Sequence, residues 1–239
     1  MRRAATLSAL LLVALAAPAP AQAQERSAEP GRPSTGAPVL EAGEVRAART
    51  LPIAAAVHVL PLAGEVRDGY KRTSFKHWNA GENATDGCNT RAEVLIAEAV
   101  EAPTVLAGCK ISGGSWWSYY DDRTFTSASA LDIDHMVPLA EAWDSGASGW
   151  TAARREAYAN DQGARTSLIA VSAASNRSKA DQDPAQWLPP ASDATCRYIS
   201  EWVATKLRWD LTADTTEADA LGRLAGGCAG TTVTYEPVP

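Results

Sequence analysis

Two carboxylates and a histidine stand together in the stretch LDIDHMVPLAEAW, residues 131–143. Asp132 and Asp134 precede His135, which is one of three histidines in the chain. Carboxylate oxygens bind hard divalent cations, and an imidazole with an unperturbed pKa of ~6.5 can take a proton from water near neutral pH. The stretch therefore indicates one of two things: a catalytic centre or the polar end of a buried strand.

A further polar group for this site comes from downstream. The alternation in LDID predicts a strand, SLIAV at 167–171 predicts a second, and residues 172–180 predict a short helix that carries Asn176. Two antiparallel strands and a helix would bring Asp134, His135 and Asn176 together. Because neighbours on a regular strand point to opposite faces, the first strand must end or bulge at Asp134 and His135.

Such a set suits the hydrolysis of a phosphodiester. A hard cation held by Asp134 and the side-chain oxygen of Asn176 would neutralise the charge that builds on the scissile phosphate. His135 would act as the general base on a separate water. Arg177 and Lys179 follow Asn176 closely and are predicted to contact phosphates of the substrate.

The ordered pattern DIDHMVPL … SLIAVSAASNRSKADQDP resembles the HNH endonuclease superfamily, whose core is the ββα-metal motif. The wider chain is similar to secreted bacterial HNH-type proteins related to the C-terminal nuclease domain of modification-dependent restriction systems. The pieces that carry this similarity are GYKRTSFKHW, DGCNTRAEVL, DIDHMVPLAEAWDSGA, AYAND, SNRSKADQDPAQWLPP and CRYISEWVATKLRW.

The resemblance implies a role for each matching residue. His135 matches the general base, and Asp134 and Asn176 match the metal ligands. It implies an α+β fold, a mainly helical single domain built around a ββα-metal (HNH) core with a small antiparallel sheet. Mg²⁺ is the expected ion, with Mn²⁺ as the alternative. The expected partner is nucleic acid, with DNA favoured over RNA.

The middle position of the motif departs from the superfamily, which has an asparagine before an apolar residue of the second strand. Here that place reads Ser167-Leu168, and Asn160 in AYAND is the nearest other asparagine. We expect Asp132, Asn160 and Ser167 to support the site from behind the metal ligands. The departure keeps open a non-catalytic binding module on an HNH scaffold. A phosphoesterase acting on small substrates is a third hypothesis.

The start of the chain has the pattern of a secretory signal peptide. Residues 1–23 contain a basic pair, a short apolar run and an A-x-A cleavage site. Residues 24–39 are rich in Pro, Ser, Gly and Ala and predict a flexible linker, which leaves 40–239 as the nuclease domain. No later apolar run is long enough to span a bilayer, so we expect an extracellular protein without a membrane anchor. The oligomeric state is not predicted.

The four cysteines favour disulfides, because their number is even and export leads to an oxidising compartment. No two of them have the close spacing of a zinc site. Of three possible pairings, Cys88–Cys109 with Cys196–Cys228 is favoured, since each bond closes a local loop. The net charge of −6 argues against tight binding of duplex nucleic acid by the whole surface. It leaves room for a local basic groove made of Arg154, Arg155, Arg165, Arg177 and Lys179.

Other patterns predict the surrounding elements. They indicate helices over 44–49 and 53–60, a helix opened by a Thr90–Glu93 capping box, a strand over 105–111, a hairpin over 115–127 and a long helix over 194–209. Tyr198, Trp202 and Trp209 are expected on the buried side of that long helix. The segment GYKRTSFKHW at 69–78 is either an aromatic wedge or a phosphate contact.

Overall fold

The computed structural model describes residues 47–239. The predicted signal peptide (1–23) and linker (24–39) lie outside the described residues. Within 47–239 the helices are α1 Ile53–His58, α2 Thr90–Ala97, α3 Leu139–Asp144, α4 Ala152–Ala159, α5 Ala173–Lys179, α6 Thr195–Trp209 and α7 Thr215–Gly226. The strands are β1 Arg49–Pro52, β2 Thr104–Leu106, β3 Lys110–Ser112, β4 Trp116–Ser118, β5 Arg123–Phe125, β6 Leu131–His135, β7 Leu168–Ser172 and β8 Thr232–Tyr235.

All the strands of this region pair in antiparallel twos: β1 with β8, β2 with β3, β4 with β5, and β6 with β7. Helices with small antiparallel sheets confirm the predicted α+β class. No helix among residues 47–239 is both long and apolar enough to cross a bilayer.

The β6–β7 pair lies between two apolar clusters. Its register runs from Leu131 opposite Ser172 to His135 opposite Leu168. Leu168 and Ala170 of β7 pack with α2 and Trp116, whereas the alternate residues of β7 face the main core. A strand buried on both faces explains the uninterrupted apolar run LIAV.

Helix α6 forms the centre of the main core. Tyr198, Trp202 and Trp209 are at most 2% exposed, which confirms the predicted buried side of this helix. The same helix also buries two cations. Lys206 Nζ lies 2.9 Å from Glu141 Oε1 of α3 and 2.5 Å from Glu217 Oε2 of α7. Because a buried charge is costly unless it is paired, these contacts restrict how α3 and α7 can sit on α6.

The second cation of α6 is Arg208, which holds the chain after α4. Its Nε and Nη2 donate to the two carboxylate oxygens of Asp161 at 2.7 and 2.9 Å. Trp209 Nε1 donates to the same carboxylate at 2.8 Å. Nothing in the local sequence pattern around Asp161 marks this residue as buried or as a partner of α6.

Side chains cover the free edge of β7, where no strand pairs within the described region. Ala170 N donates to Glu98 Oε2 at 2.7 Å, and Ser172 N donates to Ser118 Oγ at 3.0 Å. Buried backbone N–H groups need such partners, and capping them also blocks the addition of another strand. Glu98 directly follows α2, so this contact also sets the position of that helix.

Three local predictions are wrong in part, each for a physical reason. The helix expected over 44–49 lies partly outside the described residues, and its last residue, Arg49, begins strand β1 because the distant β8 pairs with it. Asn89 caps α2 by accepting from Ala92 N at 2.9 Å, while Glu93 accepts from the backbone N of residues 82 and 83. The strand expected over 105–111 is the β2–β3 hairpin, whose turn includes Gly108 at φ +72°.

Both predicted disulfides are confirmed. Cys88 bonds to Cys109 and Cys196 bonds to Cys228. The second bond joins the start of α6 to the chain after α7, and Cys228 is buried in the main core.

Removal of this second disulfide should weaken the fold measurably. We expect Cys196→Ser/Cys228→Ser to lower the free energy of unfolding by about 2–5 kcal/mol, since the open chain gains entropy when unfolded. Urea denaturation of the oxidised protein and the double variant measures this difference. A change below about 0.5 kcal/mol would show that the bond does not stabilise the native state.

Glu98 should make stability depend on pH. Burial raises its pKa from 4.5 to about 7. Between those values the folded protein holds a proton that the unfolded chain has released, so stability falls as the pH rises through about 7. Glu98→Gln keeps an oxygen for Ala170 N but cannot titrate. From about pH 4.5 to about pH 8, the wild type should lose about 1–3 kcal/mol more than this variant.

Urea denaturation at each pH tests this, with Glu101→Gln as the matched control at an exposed glutamate. The control should follow the wild-type curve. If stability falls with pH equally in the wild type and in Glu98→Gln, Glu98 is not protonated in the folded protein as we expect.

Candidate active site

A cavity of about 400 Å³ lies at the end of β6. Asp134, His135, Asn176 and Arg177 are among its lining residues. Because β6 ends at His135, that residue and its strand neighbour Asp134 both reach the same cavity. The structure therefore brings together the three residues that the sequence placed in one site.

Asp134 is 5% exposed and has one oxygen firmly held. Its Oδ2 accepts from Tyr120 Oη at 2.6 Å and from Lys179 Nζ at 2.5 Å. No hydrogen bond from residues 47–239 occupies its Oδ1. Burial raises the pKa of Asp134, and the Lys179 ammonium opposes that rise. The carboxylate is thus fixed through one oxygen, with the other available as a hard ligand.

The position of Lys179 corrects its predicted role. It was expected to contact substrate phosphate, but its side chain is fully buried. Besides Asp134, its Nζ donates to His135 O at 3.1 Å and Met136 O at 2.8 Å. An ammonium with three internal partners has no free donor for a phosphate. Lys179 instead fixes the end of β6 from α5.

The hydrogen bond of His135 determines its tautomer. His135 is 6% exposed, and its Nε2 lies 2.9 Å from Ala159 O at the end of α4. A carbonyl oxygen can only accept, so Nε2 carries the proton and Nδ1 carries the lone pair. The ring of Trp78 stacks on the imidazole at 5.3 Å. Orientation and tautomer therefore both come from residues outside β6.

The pKa of His135 lies well below the value of an unperturbed imidazole. The pKa of His135 is lowered to about 3: burial is the main cause, the bond to Ala159 O opposes it, and the charge of Arg72 adds to the lowering. The imidazole is therefore neutral at pH 7, as a general base must be before it takes a proton.

Asp132 connects two residues of α5. Its Oδ2 accepts from Asn176 Nδ2 at 3.3 Å and pairs with Arg177 Nε at 3.3 Å. The amide of Asn176 is thereby oriented with its nitrogen toward Asp132. No hydrogen bond within the described region uses Asn176 Oδ1. The Arg177 side chain is 73% exposed, so it can reach a phosphate in the cavity.

Asn160 lies behind the cavity and ties α4 to the loop before α2. Its Oδ1 accepts from Asn79 N at 3.0 Å and from Thr90 Oγ1 at 2.9 Å. Its Nδ2 donates to Lys76 O and Glu156 O, both at 2.8 Å. The amide is fully used, and it follows directly after the carbonyl that orients His135.

Ser167 also acts from outside the cavity. Its Oγ donates to Asp161 Oδ2 at 2.6 Å, and its carbonyl accepts from Met136 N at 3.0 Å. It therefore extends the β6–β7 pairing by one bond past the strand end and links that end to the Arg208–Asp161 pair.

The structure confirms the aromatic wedge in the segment over residues 69–78, and phosphate contact stays a prediction. Phe75 is fully buried in the main core, as an aromatic wedge would be. Tyr70 and Arg72 line the cavity, where an arginine can contact phosphate. The basic and aromatic composition of residues 69–78 was the sequence feature that pointed to these two residues. No sequence feature predicts a site role for Tyr120, because its hydrogen bond to Asp134 depends on how the β4–β5 hairpin packs.

The predicted basic groove is smaller than expected. Arg155 Nη1 donates to the carbonyls of Ala147 and Trp150, and Arg154 lies 4.8 Å over the Trp150 ring. These two guanidinium groups hold structure around α4, which leaves Arg72 and Arg177 as the arginines of the cavity wall.

Comparison with known proteins decides the family. Residues 90–224 match the family described as GmrSD restriction endonucleases, C-terminal domain. The chain belongs to this family. A protein of Arthroderma benhamiae described as an uncharacterized secreted protein is 40% identical over 162 residues, which cover 68% of this chain and 77% of the relative. No solved structure matches the chain.

The GmrSD C-terminal domain match spans β6, β7 and α5 and therefore every candidate site residue from Asp132 to Lys179. This supports the predicted relation to restriction endonucleases. The bacterial origin suggested by the resemblance stays a prediction.

Substitution of the two basic residues of α5 should have sharply different effects on the free energy of unfolding. Lys179→Met leaves Asp134 buried without its cation and should lower the free energy of unfolding by about 3–5 kcal/mol. Arg177→Met breaks only an exposed pair and should change it by about 1 kcal/mol or less. Chemical denaturation of both variants measures the contrast. Equal effects would contradict the assignment of Lys179 as the fixing contact of β6.

Proposed function

We propose that the protein is a secreted, metal-dependent endonuclease that hydrolyses phosphodiester bonds in nucleic acid, with DNA favoured over RNA. In this proposal β6, β7 and α5 form an HNH-type ββα-metal core. The observation that carries it is the meeting of Asp134, His135 and Asn176 on one cavity wall, with His135 held as a neutral imidazole. Membership of a restriction endonuclease domain family supports the same chemistry.

The donor set fits a hard divalent cation. Asp134 and Asn176 would hold it through Oδ1 atoms that no hydrogen bond of the described chain uses, and two protein ligands leave positions for water and phosphate oxygens. Mg²⁺ is the proposed ion, and Mn²⁺ is the alternative with the same ligand preference. When bound, the ion supplies Lewis-acid stabilisation of the charge that develops on the phosphate and the leaving oxygen.

His135 is proposed to take the proton of the attacking water at Nδ1. Its Nε2–H stays on Ala159 O, so the ring does not have to reorient during the step. The low pKa of His135 keeps the imidazole neutral, and so able to accept a proton, before substrate binds. A phosphodiester in the cavity brings negative charge beside the ring, which favours the imidazolium that forms during the reaction.

Asp132 and the arginines would complete the site. Asp132 orients Asn176 through the amide nitrogen, which turns the amide oxygen away from that contact. Arg177 and Arg72 would balance the charge of the substrate phosphates on the cavity wall. The overall net charge of −6 fits an enzyme with modest affinity for duplex nucleic acid.

The extracellular location rests on two findings. The chain carries two disulfides, which persist in oxidising compartments. The relative from Arthroderma benhamiae is described as secreted. Together they confirm the predicted location.

A plasmid-nicking assay on the oxidised protein tests the function. We expect cutting with Mg²⁺ or Mn²⁺ and none with EDTA. His135→Ala and Asn176→Ala should each reduce the rate by about 10²–10⁴-fold, the usual contribution of a positioned base or charge-stabilising group. His58→Ala is the matched control, because His58 is exposed on α1 and lies outside the cavity wall. Its rate should equal that of the wild type.

Other outcomes point to the alternatives. Metal binding by the wild type without cutting of DNA or RNA would favour a non-catalytic binding module. Cutting of a model phosphodiester but not of polynucleotide would favour a small-substrate phosphoesterase. Full activity in His135→Ala would place the chemistry elsewhere.

A further inference from the structure

A second group of acidic residues lies outside the cavity wall described above. Carboxylate oxygens of Glu65, Glu141 and Asp144 lie within 4.8 Å of one another, and so do those of Glu65, Asp183 and Asp214. Glu65 is exposed and belongs to both triplets, whereas Glu141, Asp144 and Asp183 are buried. None of the five is among the residues that line the active-site cavity.

The cations around this acidic group neutralise only part of it. Arg67 pairs with Asp144 at 2.6 Å, and Lys206 pairs with Glu141 at 2.9 Å. Within residues 47–239, no ion pair reaches Glu65, Asp183 or Asp214. Carboxylates at these separations repel one another, and repulsion is strongest where water is excluded. Asp183 and Asp214 each accept backbone hydrogen bonds at Oδ1, but no side-chain cation of the described residues pairs with them.

One carboxylate oxygen of Asp144 is buried without a hydrogen-bond partner in the described residues. The residue is 4% exposed, and its Oδ2 accepts from Arg67 Nε at 2.6 Å. Its Oδ1 is buried and has no hydrogen-bond partner among the residues that the structure describes. Buried carboxylate oxygens are nearly always paired or bound to a metal, because leaving one unpartnered is costly. The acidic group around it offers oxygens only, so a cation is the partner that fits.

We propose that Glu65, Glu141 and Asp144 bind a divalent cation, with Asp183 and Asp214 close enough to take part directly or through water, and that the ion is Ca²⁺. A site made only of carboxylate oxygens suits a hard cation. Ca²⁺ accepts six to eight oxygens in irregular geometry, whereas Mg²⁺ demands a near-ideal octahedron. The ligands come from separate parts of the chain, which favours the more tolerant ion.

The consequence would be structural. Glu141 and Asp144 belong to α3, which follows β6, while Asp214 caps α7 by accepting from Glu217 N at 3.0 Å. Asp183 follows α5, and Glu65 lies in the chain between α1 and α2. A cation held by these residues would join four segments around the active site. It would stabilise the fold without touching the substrate.

Calorimetric titration with CaCl₂ and thermal unfolding with Ca²⁺ or EDTA test this on the oxidised chain. The wild type should bind Ca²⁺ and melt at a higher temperature with it. Glu65→Gln should weaken binding by about tenfold or more and lose most of the shift, because it removes the ligand shared by both triplets. Glu65 is exposed and its charge is repelled by its neighbours, so in EDTA this variant should melt at the same temperature as the wild type or higher. Glu101→Gln is the matched control and should retain both effects.

Asp134→Asn separates this site from the nuclease centre. We expect this variant to keep the Ca²⁺ effect on melting while it loses metal-dependent cutting of DNA, because Asp134 is a proposed ligand of the nuclease metal. Loss of the effect in Asp134→Asn with retention in Glu65→Gln would place the ion at the nuclease centre and overturn the proposal. No binding by the wild type at millimolar Ca²⁺, or unchanged binding in Glu65→Gln, would overturn it as well.

Discussion

The ammonium group of Lys179 holds the end of β6 in place. It lies in the interior and donates to Asp134 Oδ2 and to the carbonyls of His135 and Met136. A buried charge that lost these partners would be very costly, so α5 and the end of β6 must keep one relative position. The same contact leaves the second oxygen of Asp134 free for chemistry. Structure and proposed function therefore depend on one buried ion pair.

Polar contacts from distant segments also hold the His135 ring in position. Its ring bonds to Ala159 O, and Asn160 ties that end of α4 to the loop before α2. Ser167 connects the strand end to Asp161, which Arg208 of α6 grips with two hydrogen bonds. Such hydrogen bonds are directional, so they hold a side chain more exactly than apolar packing does. The imidazole is positioned by elements that themselves line little of the cavity.

Arg67 links the two charged regions of the protein. It pairs with Asp144 of the acidic group and with Asp181, which lines the active-site cavity. One guanidinium therefore contacts both the acidic group and the cavity wall. The two disulfides stabilise the fold in another way, because they limit the conformational freedom of the unfolded chain.

The sequence by itself predicted the order of the β6–β7–α5 unit, both disulfides and the meeting of Asp134, His135 and Asn176, from local periodicity, residue type and loop length. The α+β class was implied by the family resemblance that these motifs carry. Only the tertiary structure decided the burial of Lys179, the tautomer and low pKa of His135, and the pairing of β1 with β8. Each of these depends on contacts between residues more than 20 positions apart, where no periodic pattern connects the partners. Burial sets the energy of a charge, and burial is a property of the packed molecule.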